Sequence, residues 1–290
     1  MQKLRATPEN LARLFYIYAY SRGKFVLSSG KVSSYYLNGK EVILSARGLY
    51  LSTRLLLERI FASPPRPEAV GGLSFGAAPL AAAVSAFSCF PEYRSFLSSF
   101  IVRKEAKAHG TRSRVEGPFY RGIQAVVVDD VLTTGASVLS AARAVEEAGG
   151  RVDRIYVLVD RREGGGETVE RAGYRLESLF TRRDLERLDR RLRQKYPVFC
   201  NGLGREPVAW DNLIEGCREI AGHHPRLGAA LKEKIAALRE RHGLLPGLPV
   251  ALSSSLLKPL KIVEFELDPS LAGEMACRAL EREFSVDVGS

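Results

Sequence analysis

The run Val126 to Ser137, VVVDDVLTTGAS, holds the residues best suited to chemistry. An apolar strand delivers two adjacent carboxylates, Asp129 and Asp130, into a Thr-Thr-Gly-Ala-Ser turn that opens a helix. Successive backbone N–H groups in such a turn, with a helix N-terminus behind them, make a nest for an anion such as phosphate. Thr133, Thr134 and Ser137 add hydroxyl donors, and Gly135 lets the backbone approach closely. Two acids beside a phosphate nest are wasted unless they serve another part of the ligand. Sugar hydroxyls or a magnesium ion are the natural partners. The run is neither the Gly-rich loop of nucleoside triphosphatases nor the dinucleotide fingerprint.

A second run, VRKEAKAHGTRSRVEGPF (Val102 to Phe119), follows another strand and is rich in cations and glycine. Arg103, Lys104, Lys107 and His109 could converge on a strongly anionic group while the loop closes over it and excludes water. A departing pyrophosphate is such a group, because charge develops on it in the transition state. Taken blindly, the same run also fits a solvated surface loop. Arg161, in Val159-Asp160-Arg161-Arg162, carries a planar guanidinium that suits a carboxylate; on residue type alone it equally fits the surface. Tyr35 and Tyr36 equally fit ordinary packing.

The elements that must position these residues alternate along the chain. Thr7-Pro8-Glu9 opens a helix with a hydroxyl cap, a proline at its first position and an acid in its first turn. Leu11, Leu14, Phe15, Tyr18 and Ala19 line one face of it. Residues 25–44 read as short extended segments broken at Ser-Ser-Gly-Lys and Asn-Gly. A helix over Arg47 to Phe61 ends at Ser-Pro-Pro-Arg-Pro. Strands follow at Glu68 to Gly71, Phe96 to Val102, Ile123 to Val128 and Ile155 to Val159, with helices at Pro79 to Phe87 and Ser137 to Ala148. Continuous apolar strands alternating with helices predict an α/β fold, a mostly parallel twisted sheet with helices on both faces. In such sheets the loops beyond the strands' carboxyl ends share one edge and carry the ligand site.

Together these residues resemble the orotate phosphoribosyltransferases, members of the type I phosphoribosyltransferase family. The Asp129-Asp130 run is similar to their motif for phosphoribosyl pyrophosphate (PRPP). The resemblance implies that the acids hold the ribose hydroxyls and that Val131 to Ser137, including Leu132 and Ala136, cradle the 5-phosphate. Arg103-Lys104-Glu105-Ala106-Lys107, with His109-Gly110 and Val115-Glu116-Gly117 downstream, resembles the family's catalytic loop. That implies catalytic roles for Lys104, Lys107 and His109 beside Asp129 and Asp130, and a homodimer in which loop 103–116 reaches the neighbouring site. Phe25 to Lys31 with Ser33 to Tyr36 resembles the segment that caps orotate, Val70 to Pro79 the loop meeting pyrophosphate and base, and Asp160-Arg161 the strand end that reaches orotate. Tyr35, Tyr36, Thr133 and Arg161 are therefore the expected orotate contacts. Magnesium is expected to be held mainly by PRPP, near Asp129 and Asp130. Asn38, Ala78 and Ser28 depart from residues common in the family, all on the base or pyrophosphate side.

Composition places limits on this reading. The 290 residues are 46% hydrophobic and 26% charged, ordinary for a globular protein with a full core. No apolar run reaches membrane-spanning length, so no membrane partner and a cytoplasmic address are expected. The net charge of +10 favours anionic partners. No aromatic platform or nucleic-acid motif accompanies it, so nucleic acid is not an expected partner. Part of the surplus lies in Thr181 to Lys195, which reads as a solvated helix face. Cys89, Cys200, Cys217 and Cys277 lack metal-ligand spacing and read as reduced thiols. The expected organisation is a phosphoribosyltransferase domain over residues 1–195, with a hood of about residues 1–45. A C-terminal extension over 196–290 reads as a small α+β module: helices over Trp210 to Ile220, Arg226 to Arg241 and Ser270 to Phe284, and an extended run over Lys261 to Leu267. His223-His224 in it reads as a capped loop. Nothing in the extension forms a catalytic constellation.

Overall fold

The computed structural model describes residues 5–26, 32–105, 113–203, 208–242 and 248–285. By its contacts the chain forms two compact units, one joining 5–12 to 39–184 and the other joining 1–4 and 13–38 to 185–290.

Helix α1 (Pro8–Leu14) starts at Thr7, whose Oγ1 accepts a hydrogen bond from the Asn10 N–H at 3.2 Å. A π-helical turn, Phe15–Ala19, continues it and runs into β1 (Tyr20–Val26). Strand β1 pairs antiparallel with β2 (Val32–Leu37), with Arg22 opposite Tyr35. After the Asn38-Gly39 turn the chain coils into the short helix α2 (Lys40–Ile43), where an extended segment was expected. Helix α3 (Ala46–Ala62) is capped by Ser45, which accepts from the Gly48 N–H at 3.1 Å.

The second part of the chain alternates as expected. Strand β3 (Ala69–Leu73) leads into α4 (Ser74–Ser88), then come β4 (Ser98–Val102), the short β5 (Val115–Glu116) and β6 (Gln124–Leu132). After α5 (Ala136–Glu147) follow β7 (Arg151–Asp160), α6 (Gly165–Arg171) and β8 (Arg175–Thr181). The six strands form one sheet in the order β5-β4-β3-β6-β7-β8, and only the β4–β5 pair is antiparallel. Its core packs Phe100, Val127, Ile155 and Val157 against Val138, Ala141, Ala142 and Val145 of α5. Such side chains contribute about 1.5–3 kcal/mol each when fully buried.

Two expectations change here. The segment expected as a loop through Pro79 is helical from Ser74, five residues before the expected start, with Pro79 inside the helix. Helix α6 and strand β8 add a further α/β step at the sheet's end, where sequence periodicity gave no signal.

Beyond β8 the regular elements among the described residues are all helices. Helix α7 (Arg182–Lys195) buries Leu185, Asp189 and Leu192 on one face, while Arg183, Arg187, Arg190 and Arg191 are exposed on the other, the solvated face that was expected. Helices α8 (Pro197–Leu203), α9 (Trp210–Ala221), α10 (Pro225–His242), α11 (Leu248–Phe265) and α12 (Pro269–Ser285) follow. The run expected as extended, Lys261 to Leu267, lies mostly in the last turns of α11. Among the described residues the extension is therefore helical, not α+β. Its alternating Val263, Phe265 and Leu267 mimic a strand, but Leu256, Leu257, Leu260 and Lys261 are buried at helical spacing.

Candidate active site

The carboxyl ends of β4, β3, β6, β7 and β8 lie on one edge of the sheet, as their parallel registers require. From β3 the chain crosses to β4 on one side and then to β6 on the other. The edge between β3 and β6 is thus a topological switch point, where open α/β sheets bind ligands.

Both acids stand at this point, among the last residues of β6. Asp129 is 8% exposed and Asp130 is half-buried. The Asp129 Oδ1 accepts from the Asp130 N–H at 3.0 Å, and Asp130 Oδ1 accepts from the Val131 N–H at 2.9 Å. Each carboxyl group thus accepts one backbone N–H, and the two side chains are also hydrogen-bonded to each other. Two glycines make room for them. A Cβ at Gly76 would collide with Asp129 Oδ1 and stand 2.7 Å from Asp130 Oδ1, and one at Gly39 would stand 2.5 Å from Asp130 Oδ2. Burial, then the neighbouring Asp130 charge, raises the Asp129 carboxyl to about 8. Burial also raises Asp130. The Lys40 ammonium offsets part of this for both. The pair is held in a costly state that hydroxyl donors or a cation would relieve.

The turn that follows is shaped for an anion. Gly135 caps α5 at φ +85°, a left-handed conformation that favours glycine. Thr134, Ala136 and Ser137 are exposed, Val131 and Thr133 are half-buried, and Gly135 is buried. The loop is braced from behind by the start of α6, since a Cβ at Gly165 would collide with the Thr133 carbonyl. Leu132 is 1% exposed; its side chain belongs to the core and its carbonyl accepts from the Arg161 N–H at 3.1 Å. Only its backbone faces the edge.

Arg161 is mostly buried, with its Nη2 3.1 Å from Glu163 Oε1. Beside it Arg162, at φ +56°, is held by Asp160: its N–H donates to Oδ1 at 2.7 Å and its Nε lies 3.2 Å from Oδ2. Of the basic loop, Arg103 and Lys104 are exposed, and Arg103 pairs with Glu116 at 3.4 Å. Arg114 ties the loop's base, donating from Nε to the Arg103 carbonyl at 3.0 Å and from Nη2 to Ser140 at 2.8 Å. Lys107 and His109 lie outside the described residues. Tyr35 and Tyr36 belong to the other compact unit: Tyr35 is buried and stacks on Tyr20 at 5.9 Å, and Tyr36 is 45% exposed beside Phe25 at 5.6 Å.

Residue-type reasoning missed Gly39, Lys40 and Gly76. The Asn38-Gly39-Lys40 turn was visible as a turn, but its contact with Asp130 spans some ninety residues and only the fold brings it there. Among the described residues no group of three or more His, Cys, Asp or Glu side chains could hold a metal.

Residues 52–172, which run from α3 through α6, match the phosphoribosyl transferase domain family. That is the class the sheet and its acidic edge define. Orotate phosphoribosyltransferase of Synechocystis is 42% identical over 181 residues, covering 62% of this chain and 89% of that protein. The Thermosynechococcus vestitus enzyme of the same name is 47% identical over 58% of this chain and 87% of its own. Orotate phosphoribosyltransferase of Mycobacterium tuberculosis, solved in complex with PRPP, superposes with a TM-score of 0.52 at 32% identity, covering 62% of this chain and 98% of that one. The chain belongs to the orotate phosphoribosyltransferase family, a group of pentosyltransferases.

Proposed function

We propose that this chain transfers the phosphoribosyl group of PRPP to orotate in pyrimidine biosynthesis, giving orotidine 5-monophosphate and pyrophosphate with magnesium bound. One observation carries the reading: the Asp129-Asp130 pair, walled by Gly39 and Gly76, stands directly before a glycine-capped cradle at the sheet's switch point. Asp129 and Asp130 accept hydrogen bonds from the ribose hydroxyls, and the Thr133 to Ser137 turn holds the 5-phosphate. As the bond to pyrophosphate breaks, positive charge develops on the ribosyl carbon, as in glycosyl transfer generally. Negative charge grows on the leaving group, where Arg103, Lys104, Lys107 and His109 stabilise it. Arg161 binds the orotate carboxylate, with Tyr35, Tyr36 and Thr133 orienting the ring.

Magnesium fits the donors present. A buried and a half-buried carboxylate, with no third such ligand among the described residues, suit an ion that takes its remaining oxygens from a polyphosphate. When bound, it neutralises the pyrophosphate charge. The activity resides in residues 1–195, in a homodimer whose loop 103–116 completes the partner's site. The test is pyrophosphate release with PRPP and each of orotate, uracil, hypoxanthine and adenine. Release with orotate alone is expected. Release with another base and none with orotate would assign the site to that base instead, and no release with any of them would refute the transferase reading.

A further inference from the structure

The extension supplies the root of the β1–β2 hairpin with a buried cation. At the end of the Phe15–Ala19 turn the chain leaves helical geometry for a strand, which orphans carbonyls of the last turn. Lys261, in α11, fills that need. Its Nζ donates to the Tyr16 carbonyl at 3.1 Å and the Tyr20 carbonyl at 2.7 Å, and it lies 4.4 Å from the centre of the Tyr16 ring. The side chain is 6% exposed, so the ammonium is held by these groups instead of by water.

A second tie runs parallel to the first. Buried Asp189 of α7 accepts from Tyr16 Oη at 3.2 Å, from Arg22 Nη1 at 3.1 Å and from Arg193 Nε at 2.8 Å. Arg22 sits on β1 opposite Tyr35, and Tyr20 stacks on Tyr35. Further contacts join the same segments: Tyr18 Oη donates to Glu266 at 3.2 Å, and Phe265 packs edge-on to Tyr16 at 5.3 Å. Every one of these residues lies in the compact unit that joins 13–38 to 185–290.

We infer that the C-terminal extension and α7 together form an internal clasp that sets the conformation of the β1–β2 hairpin, with Lys261 and Asp189 as positioning residues for the base carried through Tyr20 and Arg22 to Tyr35. The inference rests on the proposed assignment of Tyr35 and Tyr36 to orotate. A clasp of this kind acts on base binding and leaves the PRPP half of the site alone, so it separates the two substrates kinetically.

The test is steady-state kinetics on the full chain, wild type against Lys261→Met and Arg22→Gln, with each substrate varied in turn. The expected result is a KM for orotate raised roughly threefold to tenfold in both variants, with kcat and the KM for PRPP within about twofold of wild type. Arg22 is 55% exposed, so its variant decides the question if Lys261→Met does not fold. An unchanged orotate KM in a folded variant, or a parallel loss of kcat and both KM values, overturns the inference. Hydrogen exchange separates this from failure of the functional reading. If the wild type releases no pyrophosphate with orotate, faster exchange of the Tyr20–Val26 and Val32–Leu37 amides in the variants still supports the clasp, and unaltered exchange refutes it.

Discussion

Replacing Asp129 by asparagine tests whether the acidic pair is a stored cost. In the folded chain burial and the Asp130 charge raise the Asp129 carboxyl to about 8, against an ordinary value of 3.8. The folded state therefore holds a proton that the unfolded chain gives up, and stability falls as pH rises between those two values. At about 1.4 kcal/mol per pH decade the full gap sets a ceiling of about 6 kcal/mol. The neighbouring Asp130 shares that cost, and part of it relaxes when the pair sheds one charge, so a gain of about 2 kcal/mol is expected for D129N at pH 8. The amide keeps an oxygen for the Asp130 N–H, so the local hydrogen bond survives. Thermal melts in metal-free buffer should show D129N melting roughly 4–8 °C above wild type at pH 8, with a smaller gap at pH 5. The same variant should lose transferase activity, the usual exchange of stability for function at a strained site. A D129N protein that melts at or below wild type at pH 8, with no pH trend in the difference, would refute the reasoning.

Other perturbations address the neighbouring parts. Gly76→Ala puts a methyl group against both carboxylates and is expected to weaken PRPP binding at least about tenfold, read by calorimetry, at a stability cost of roughly 1–3 kcal/mol. Lys107→Ala should lower kcat by about two to three orders of magnitude while the melting curve stays at the wild-type position; near-normal turnover would remove the loop from catalysis. Gly135→Ala forces an L side chain to φ +85° and is expected to destabilise the chain by about 1–2 kcal/mol while weakening phosphate binding, measured by urea unfolding and by inorganic phosphate competition.

How much of this was legible in the residues follows from how local each signal is. The apolar run Val126 to Val128 is buried on both faces, so it announces a central parallel strand, and the acids and turn that follow it are contiguous in sequence. The shared edge and most of the sheet's helices follow from that periodicity, whereas the strand order came only from the fold. Ser74 to Pro79 misled because glycine and proline read as loop, while the alanines beyond them carry the helix back to Ser74. Lys261 carried no signal of its own: only its contacts with Tyr16 and Tyr20, some 240 residues away, make it a buried cap. Gly39, Lys40 and Gly76 were equally hidden, since their role is defined by distance to Asp129 and Asp130 and not by their own neighbours. Arg161 is intermediate. Its position at a strand end was readable, and its burial beside Glu163 was not.

The most direct measurement is titration calorimetry of the full-length chain with PRPP in the presence of magnesium, repeated with D129N. A dissociation constant in the micromolar range for wild type, weakened at least about tenfold in the variant, is the expected result. Undetectable binding to wild type, or binding indifferent to D129N, would contradict the assignment of the acidic pair and its turn to the sugar phosphate.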